Sequence, residues 1–598
     1  MGHLTMVRKS AKSATTPALE APLHNAEIAV RLDDMATMLE LGGANPFRVR
    51  AYRNASRLLG RYGREAAEMI AKGESLDALP GIGEDLAGKI QDLALTGTTK
   101  LLQSLKSETP PVALELMRIP GLGPKRIRAL IDELDVHRIE QLHRAALDGR
   151  VRLVPGFGAK LERYILSALQ SRALKTTRVK LATAARAATP LLEYLRGWPG
   201  VVRAVAAGSL RRGQETVGDI DILVTAGNSA AVVGHFTKYP EAATVDAAGT
   251  TRATVHLRSG LQVDLRVVPD ESFGSALQYF TGSKAHVIAL RALGRERGLK
   301  INEYGVFRGR RRIAGKDEAE VFAAVGLPYI EPELRENRGE IEAARAGRLP
   351  KLVTLQDLRG DLHVHSAHTD GHGTIREMAA AATAHNLSYI AITDHSKRMT
   401  MAHGLDSTRL RRQGEEIERV NREFPGVEIL KGIEVDILPD GTLDLSDKVL
   451  SQLDIVVAAV HSHFHLSRAE QTARVERALA NPLVTILAHP TGRLMPDREP
   501  YDVDMPRLIR MAAANRVALE VNAQPERLDL IDAHCRMAKA AGVPISIASD
   551  AHAAEDYDNL AYGVSQARRG WLEAGNVLNT KTLAELRAYL DRRTARKG

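Results

Sequence analysis

In Gly208-Ser-Leu-Arg-Arg-Gly-Gln-Glu-Thr-Val-Gly-Asp-Ile-Asp-Ile-Leu-Val224, Asp219 and Asp221 alternate with Ile220 and Ile222. A period of two sets both carboxylates on one face of a strand and turns both isoleucines into a core. Residues 254–257 and 263–268 are further short β-branched runs, so 201–268 reads as one sheet of an α+β domain. Asp264, between Val263 and Leu265, adds a third carboxylate on another strand. Three such groups could hold two Mg²⁺ or Mn²⁺ ions for in-line phosphoryl transfer. The Gly208-Ser209 turn, with Arg211 and Arg212, can bind the triphosphate that such ions activate. A solvated face of an amphipathic strand would account for Asp219 and Asp221 alone, but not for the turn and arginines beside them.

Toward the N-terminus the pattern becomes helical. Ile28, Leu32, Met35, Met38 and Leu39 recur at three and four residues, and similar spacing runs to about Leu174. Residues 1–24, rich in Ser, Thr, Ala and Pro, read as a disordered arm. Within the helical third an internal repeat appears: Leu79-Pro-Gly81-Ile-Gly83, Ile119-Pro-Gly121-Leu-Gly123 and Val154-Pro-Gly156-Phe-Gly158. Each copy precedes a helix, so its free N–H groups can face an anion. One copy would read equally as a plain turn, but three favour phosphate. The repeat resembles the helix-hairpin-helix motif, which grips the DNA backbone without reading bases, and Lys125, Arg126, Arg128 and Lys160 would add positive charge.

Toward the C-terminus, apolar strands at 389–392, 455–460, 484–488, 518–521 and 545–548 alternate with helical stretches, the pattern of a β/α barrel with its chemistry at the strand ends. His363 and His365 share a strand face, and Asp370 follows on the loop. His395, Glu434, His461, His489, Asp550 and His552 then recur near later strand ends. One such histidine is ordinarily just hydrogen-bonded; nine candidates at one end of a barrel point to a cluster of two or three metals. His and carboxylate without thiolate suit Zn²⁺, Mn²⁺ or Fe²⁺. His368, His463 and His465 lie beside this pattern, and Arg493 could clamp a phosphate.

The chain of 598 residues, at about 150 per domain, leads us to expect roughly four folding units. Lysine and arginine number 82 against 73 acidic residues, a net charge of +9 that suits polyanionic partners. A single cysteine excludes an intrachain disulfide and a Cys-x-x-Cys zinc site. No apolar run is long enough for a membrane span and no signal peptide is evident, so a cytoplasmic protein is expected. Residues 334–348 alternate Glu and Arg, read here as a solvated linker.

The 208–224 stretch closely resembles the nucleotidyltransferase signature of family X DNA polymerases, and 263–266, Tyr279-Phe-Thr-Gly-Ser and Ile301-Asn-Glu-Tyr follow in that family's order. Asn45-Pro-Phe-Arg-Val-Arg-Ala-Tyr-Arg resembles its 5′-phosphate-binding domain, while the barrel ligands resemble the full set of a PHP (polymerase and histidinol phosphatase) domain, a distorted (β/α)7 barrel. The resemblance implies a multidomain α/β chain. Its parts are an arm (1–24), a helical 5′-phosphate-binding, lyase-like domain (25–100), a fingers-like helical DNA-binding domain (101–185), a palm (186–270), a thumb-like nucleotide-binding domain (271–333), a linker (334–357) and a PHP domain (358–598).

By the same resemblance Asp219, Asp221 and Asp264 are catalytic metal ligands. Ser209, Arg212 and Gly218 hold the triphosphate, Tyr279, Phe280 and Gly282 border the incoming nucleotide, and Arg291 approaches the template. Gly81, Gly83, Gly121, Gly123, Gly156, Gly158, Lys125, Arg48 and Tyr52 contact DNA. Lys89 either contacts a 5′-phosphate or, activated by the cations Arg48 and Arg53, acts as a lyase amine. Four positions depart from the pattern of polymerase beta: Val287 replaces an asparagine, Lys284 an acidic residue, and Phe47 and Arg48 stand for a basic pair. The implied enzyme is a monomeric repair polymerase that fills gaps bearing a 5′-phosphate from deoxynucleoside triphosphates. Its PHP domain would be a 3′–5′ exonuclease, with abasic-site cleavage or 3′-phosphate removal as alternatives. An inactive polymerase half delivering a nuclease, or a PHP domain for small phosphoesters, are the rival readings.

Overall fold

The computed structural model describes residues 25–594, leaving out 60–65, 80, 110, 117–121, 135, 137–138, 160, 164, 167–177 and 496. The expected arm at 1–24, Gly121 and Lys160 lie outside the described residues. Two compact units divide the chain, Met1–Thr176 and Thr177–Gly598.

The first unit is helical. Helices Asn25–Leu41, Pro46–Leu59 and Glu84–Thr96 gather Ile28, Leu32, Met35, Tyr52 and Ile90 into one core. Pro124–Leu134 and Ile139–Leu147 surround a second core of Leu122, Ile127, Leu130 and Leu142. Of the three repeated turns, the first and third can be followed at their first glycine. Gly81 and Gly156 have φ of 81° and 83°, a region that disfavours any side chain, and helix Glu84–Thr96 begins directly after Gly83.

The second unit opens with a five-stranded sheet ordered Val201–Ala206, Asp219–Ala226, Gln262–Val268, Arg252–Leu257, Ala242–Ala248. Ile220, Ile222, Val224, Val263 and Leu265 face a core closed by helices Leu181–Arg196 and Ser229–Phe236, as period-two alternation requires. The domain boundary expected at 185 therefore falls inside a helix of the palm. Helices Phe273–Thr281, Lys284–Glu296 and Glu318–Ala324 with a three-stranded sheet form the thumb-like part.

The last part is a barrel of seven parallel strands in sequential order: Gly360–Val364, Tyr389–Ile392, Glu428–Asp436, Ile455–Ala459, Ile486–Leu487, Ala518–Asn522 and Ile545–Ala548. A parallel bridge from Val364 to Ala551 brings the last strand's end back to the first. Away from the site, strands and helices pack through a continuous apolar core, each fully buried Ile or Leu contributing about 1.5–3 kcal/mol. Cys535, the single cysteine, is buried so tightly beneath Gly570 that a Cβ there would lie 2.4 Å from its own.

The segment 334–357 corrects the expectation of a linker. It carries helix Glu340–Arg345, and Leu334, Ile341, Ala344 and Leu352 are buried in the thumb-like core. Its charges read as solvated because they alternate, but they have buried partners: Arg335 pairs with Glu318, Glu340 with His286, and Glu336 with Arg212 and Arg569. Among the described residues no helix is long and apolar enough to cross a membrane.

Candidate active sites

The first site is built at one end of the palm sheet. Strands Asp219–Ala226 and Gln262–Val268 run parallel with Asp221 opposite Asp264, and Asp219 lies two residues before Asp221 on the same face. Burial, reinforced by the charges of Asp219 and Asp264, pushes the Asp221 carboxyl up to about 7. Asp264 accepts hydrogen bonds from Thr254 and from Gln262 Nε2, the latter at 2.7 Å, which fixes its orientation. Gly208 has φ 59°, and a Cβ there would stand 2.0 Å from Asp221 Oδ2, so the turn closes on the carboxylate only because position 208 has no side chain.

Ser209 lies half-buried on the short helix Gly208–Arg211, and Gly218 directly precedes the Asp219 strand. Arg212 donates Nε to Glu336 at 2.9 Å and Nη1 to the carbonyl of Thr281 at 2.5 Å. Arg211 instead grips Glu318, at 2.6 Å through Nη2. Burial alone would raise the Glu318 carboxyl, but Arg211 and Arg335 outweigh it and hold it below its ordinary value. Tyr279 and Phe280 meet edge to face at 5.2 Å, and Gly282, φ 73°, lets the backbone pass Arg212. Arg291 is exposed and lines a recess of about 370 Å³ with Arg295 and Lys300. Val287 is buried, so this position supplies packing where the family pattern has an amide.

In the helical unit, a Cβ at Gly83, Gly123 or Gly158 would meet nothing within 4 Å, and none of the three has a positive φ. The fold makes no demand for glycine there; close approach of something outside the chain would. Lys125 belongs to helix Pro124–Leu134. Arg48 is exposed, and Tyr52 is buried with its hydroxyl lacking a hydrogen-bond partner. Lys89 Nζ pairs with Asp85 one helical turn earlier, and Arg53 pairs with Glu40 at 2.5 Å. The i,i+4 spacing sets Asp85 on the same helix face as the amine.

The second site lies at the C-terminal end of the barrel and centres on Glu434. His395 Nδ1, His489 Nε2 and His461 Nε2 lie 2.7, 2.9 and 3.1 Å from its oxygens, and His363 Nε2 at 3.6 Å. Asp550 Oδ1 lies 3.1 Å from His365 Nε2 and 3.5 Å from His363 Nε2. Asp370 lies 3.4 Å from His395 Nε2 and 3.6 Å from His552 Nε2. Three groups could each hold an ion: His365, Asp370, His395 and His552; His363, His365 and Asp550; His395, Glu434 and His461. All nine sequence-predicted positions are thus brought together.

The donor chemistry fits divalent metal. His363 Nε2, both nitrogens of His365 and the Nδ1 atoms of His461 and His489 are buried without a hydrogen-bond partner, an arrangement that is costly unless a cation takes the lone pairs. Titration splits accordingly. Burial and the neighbouring His552 and His395 push His365 down to about 3; burial would lower His395 too, yet Glu434 and Asp370 carry it up to about 10.

Sequence reasoning missed the residues behind the cluster. Glu520, fully buried, accepts from His363 Nδ1 and from the His489 backbone N–H, each at 2.7 Å, thereby orienting the His363 imidazole and anchoring the His489 backbone. Asp436 lies 3.3 Å from His461 Nδ1. Glu520-Val-Asn522 repeats at a strand end the period-two pattern of His363 and His365, a signal that was present. Arg493 is not free to clamp phosphate: it donates to the carbonyls of Arg527 and Leu528 and to Glu215. Arg527 lies beside the ligands instead, with Nε 3.6 Å from Asp550 Oδ2 and a buried Nη1 lacking a hydrogen-bond partner. His368 is turned to Glu416 at 2.9 Å and His463 to Ser462 at 3.1 Å.

Carboxylates on a polymerase-type palm, joined to a His-and-carboxylate barrel, define a nucleotidyltransferase fused to a metal-dependent phosphoesterase. Family models match accordingly: a helix-hairpin-helix domain at 23–99, a SAM-like helix-hairpin-helix tandem at 113–171, a DNA polymerase beta thumb at 276–336 and a PHP domain at 361–573. The DNA polymerase/3′-5′ exonuclease PolX of Bacillus subtilis (strain 168) is 40% identical over 574 residues, 95% of this chain and 100% of that protein. Probable phosphatases of Syntrophotalea carbinolica and Thermoanaerobacter sp. (strain X514) are each 31% identical, over 37% and 40% of this chain and 90% and 96% of their own lengths. The chain belongs to the family X DNA polymerases that carry a C-terminal PHP domain.

Proposed function

We propose that this chain fills short gaps in DNA at the palm and removes nucleotides from 3′ ends at the barrel, two reactions at two sites. It is a DNA polymerase with a 3′–5′ exonuclease. The gapped, 5′-phosphorylated substrate, the cytoplasmic setting and the monomeric state are the parts we add. The observation that carries the reading is that both ligand sets stand together in one chain: Asp219, Asp221 and Asp264 on adjacent strands, and Glu434 with eight further donors around it.

At the palm, Mg²⁺ or Mn²⁺ held by the three aspartates would polarise the α-phosphate. Asp264 is placed to accept the proton of the primer 3′-hydroxyl, while Ser209, Arg212 and Gly218 hold the triphosphate. Tyr279, Phe280 and Gly282 border the nucleotide, and Arg291 faces the template. The open glycines of the repeated turns admit the DNA backbone, and Arg48 and Tyr52 receive the 5′-phosphate. Lys89, paired with Asp85, serves as a phosphate contact rather than a lyase amine. At the barrel, Zn²⁺, Mn²⁺ or Fe²⁺ in the nine-ligand site would activate water against phosphorus. Glu520 holds the His363 imidazole in orientation, and the unpartnered Arg527 Nη1 meets the negative charge of the scissile phosphate.

Similarity of the barrel to probable phosphatases favours a second reading, removal of a terminal 3′-phosphate at the same site. One gel assay separates these. A 5′-labelled primer in a one-nucleotide gap, ending in 3′-hydroxyl or 3′-phosphate, is incubated with Mg²⁺ or Mn²⁺, with and without deoxynucleotides. Extension should vanish in Asp219→Ala, and shortening should survive there but vanish in His363→Ala. A primer that is neither extended nor shortened by folded, metal-loaded enzyme sinks the two-site reading. Loss of the 3′-phosphate without shortening establishes the phosphatase instead.

A further inference from the structure

The turn between Gly208 and Asp219 is docked on the PHP domain. Gly213, φ 62°, lies so close to the PHP helix Leu560–Arg569 that a Cβ would stand 1.9 Å from Ser565 Oγ. Glu215 accepts Gln566 Nε2 at 2.6 Å and Arg493 Nη1 at 2.9 Å. Arg569, 2% exposed, donates Nη1 to the Arg212 carbonyl at 3.0 Å and to Glu336 Oε1 at 2.9 Å, and Nη2 to Asp532 at 2.7 Å. The same Glu336 oxygen receives Arg212 Nε and Gln214 Nε2. With Nε on Glu336 and Nη1 on the Thr281 carbonyl, the Arg212 guanidinium is fixed in plane, and its Nη2 makes no hydrogen bond among the described residues.

We infer that the PHP domain contributes positioning residues to the polymerase site: Arg569, through Glu336, orients Arg212 so that its free Nη2 meets the incoming triphosphate. A lone Glu336 beside Arg212 would form an ordinary ion pair that competes with phosphate. Arg569 changes that balance by sharing the carboxylate, so Glu336 orients Arg212 without neutralising it fully. Asp532 in turn fixes Arg569, the buried member of a chain of otherwise part-buried charges. The PHP barrel is thus part of the polymerase's nucleotide grip as well as a second catalyst.

This inference rests on Arg212 as a triphosphate contact, so the test contains a check on that assignment. Single-nucleotide gap filling by the full chain is measured for wild type, Arg569→Gln, Arg569→Lys, Glu336→Gln and Arg212→Gln, alongside exonuclease rates without deoxynucleotides. Arg569→Gln and Glu336→Gln should raise KM for the deoxynucleotide about five- to tenfold with kcat within about twofold, and Arg569→Lys should recover part of the loss. Exonuclease rates should be unchanged in these variants. The inference is overturned if KM stays at the wild-type value, or if polymerase and exonuclease fall together, which would mark the contact as structural only. An unchanged KM in Arg212→Gln would overturn the triphosphate assignment and the inference with it, whereas a raised KM there beside unchanged Arg569 and Glu336 variants would overturn the inference alone.

Discussion

Single atoms decide much at the palm. Gly208 sits against Asp221 with no room for a methyl group, on a backbone that disfavours one. Gly208→Ala should therefore abolish extension, lowering kcat/KM at least about a hundredfold, while primer shortening at the barrel continues; gap filling and nuclease gels on one preparation check this. Retained extension would mean that the turn relaxes without disturbing the carboxylate. Chemistry-bearing residues were the most legible part of the sequence, because strand periodicity fixes which side chains share a face. Asp219, Asp221, His363 and His365 were each found that way. Glu520 obeyed the same rule and was passed over, since a buried carboxylate inside an apolar strand gives no hint of which imidazole it will face until the barrel closes. Arg527 could not be told from Arg493, because which loop arginine points inward depends on where Glu215 and two carbonyls draw the other.

At the scale of elements, strands were read nearly to the residue. Tyr389–Ile392 and Ile545–Ala548 have the expected bounds, whereas Ile486–Leu487 is shorter than expected because only two of its residues pair on both sides. The joint between the palm turn and helix Glu318–Ala324 was not legible. Glu318 there joins Arg211, Thr281's partner, to the fully buried Arg335. The Glu318 carboxyl is held below its ordinary value, so its contribution to stability is fully present above about pH 4.5 and is lost as pH falls through the depressed folded value. Glu318→Gln should cost about 3 kcal/mol at pH 7. The gap between variant and wild type in urea midpoint should then narrow on acidification below that pH. A gap that is constant with pH, or widens in acid, would contradict this account.

For the whole molecule, the informative outcome is that palm, thumb and barrel form one unit. Charge alternation at 334–348 suggested a free connector, yet ion pairs tie the parts together: Lys180 with Glu526 at 2.6 Å, Arg568 with Glu333 at 2.6 Å, Arg338 with Asp532 at 2.9 Å. Composition cannot distinguish a charge facing water from one facing a partner two hundred residues away. Each half carries one tryptophan, Trp198 stacked on His235 in the palm and Trp571 beneath Arg536 beside the barrel. Thermal unfolding followed by fluorescence of Trp198→Phe and Trp571→Phe should give midpoints within about 2 °C of each other, as one cooperative unit requires. Midpoints several degrees apart would make the halves independent.

The tight seat of Cys535 under Gly570 bears on how the enzyme withstands chemical stress. Burial drives its thiol well above the ordinary thiol range, so at neutral pH almost no thiolate exists to react, and no second sulfhydryl stands in the chain to exchange with it. Peroxide and alkylating agents, which damage DNA and thiol-dependent proteins alike, find no sulfhydryl on the surface of this polymerase.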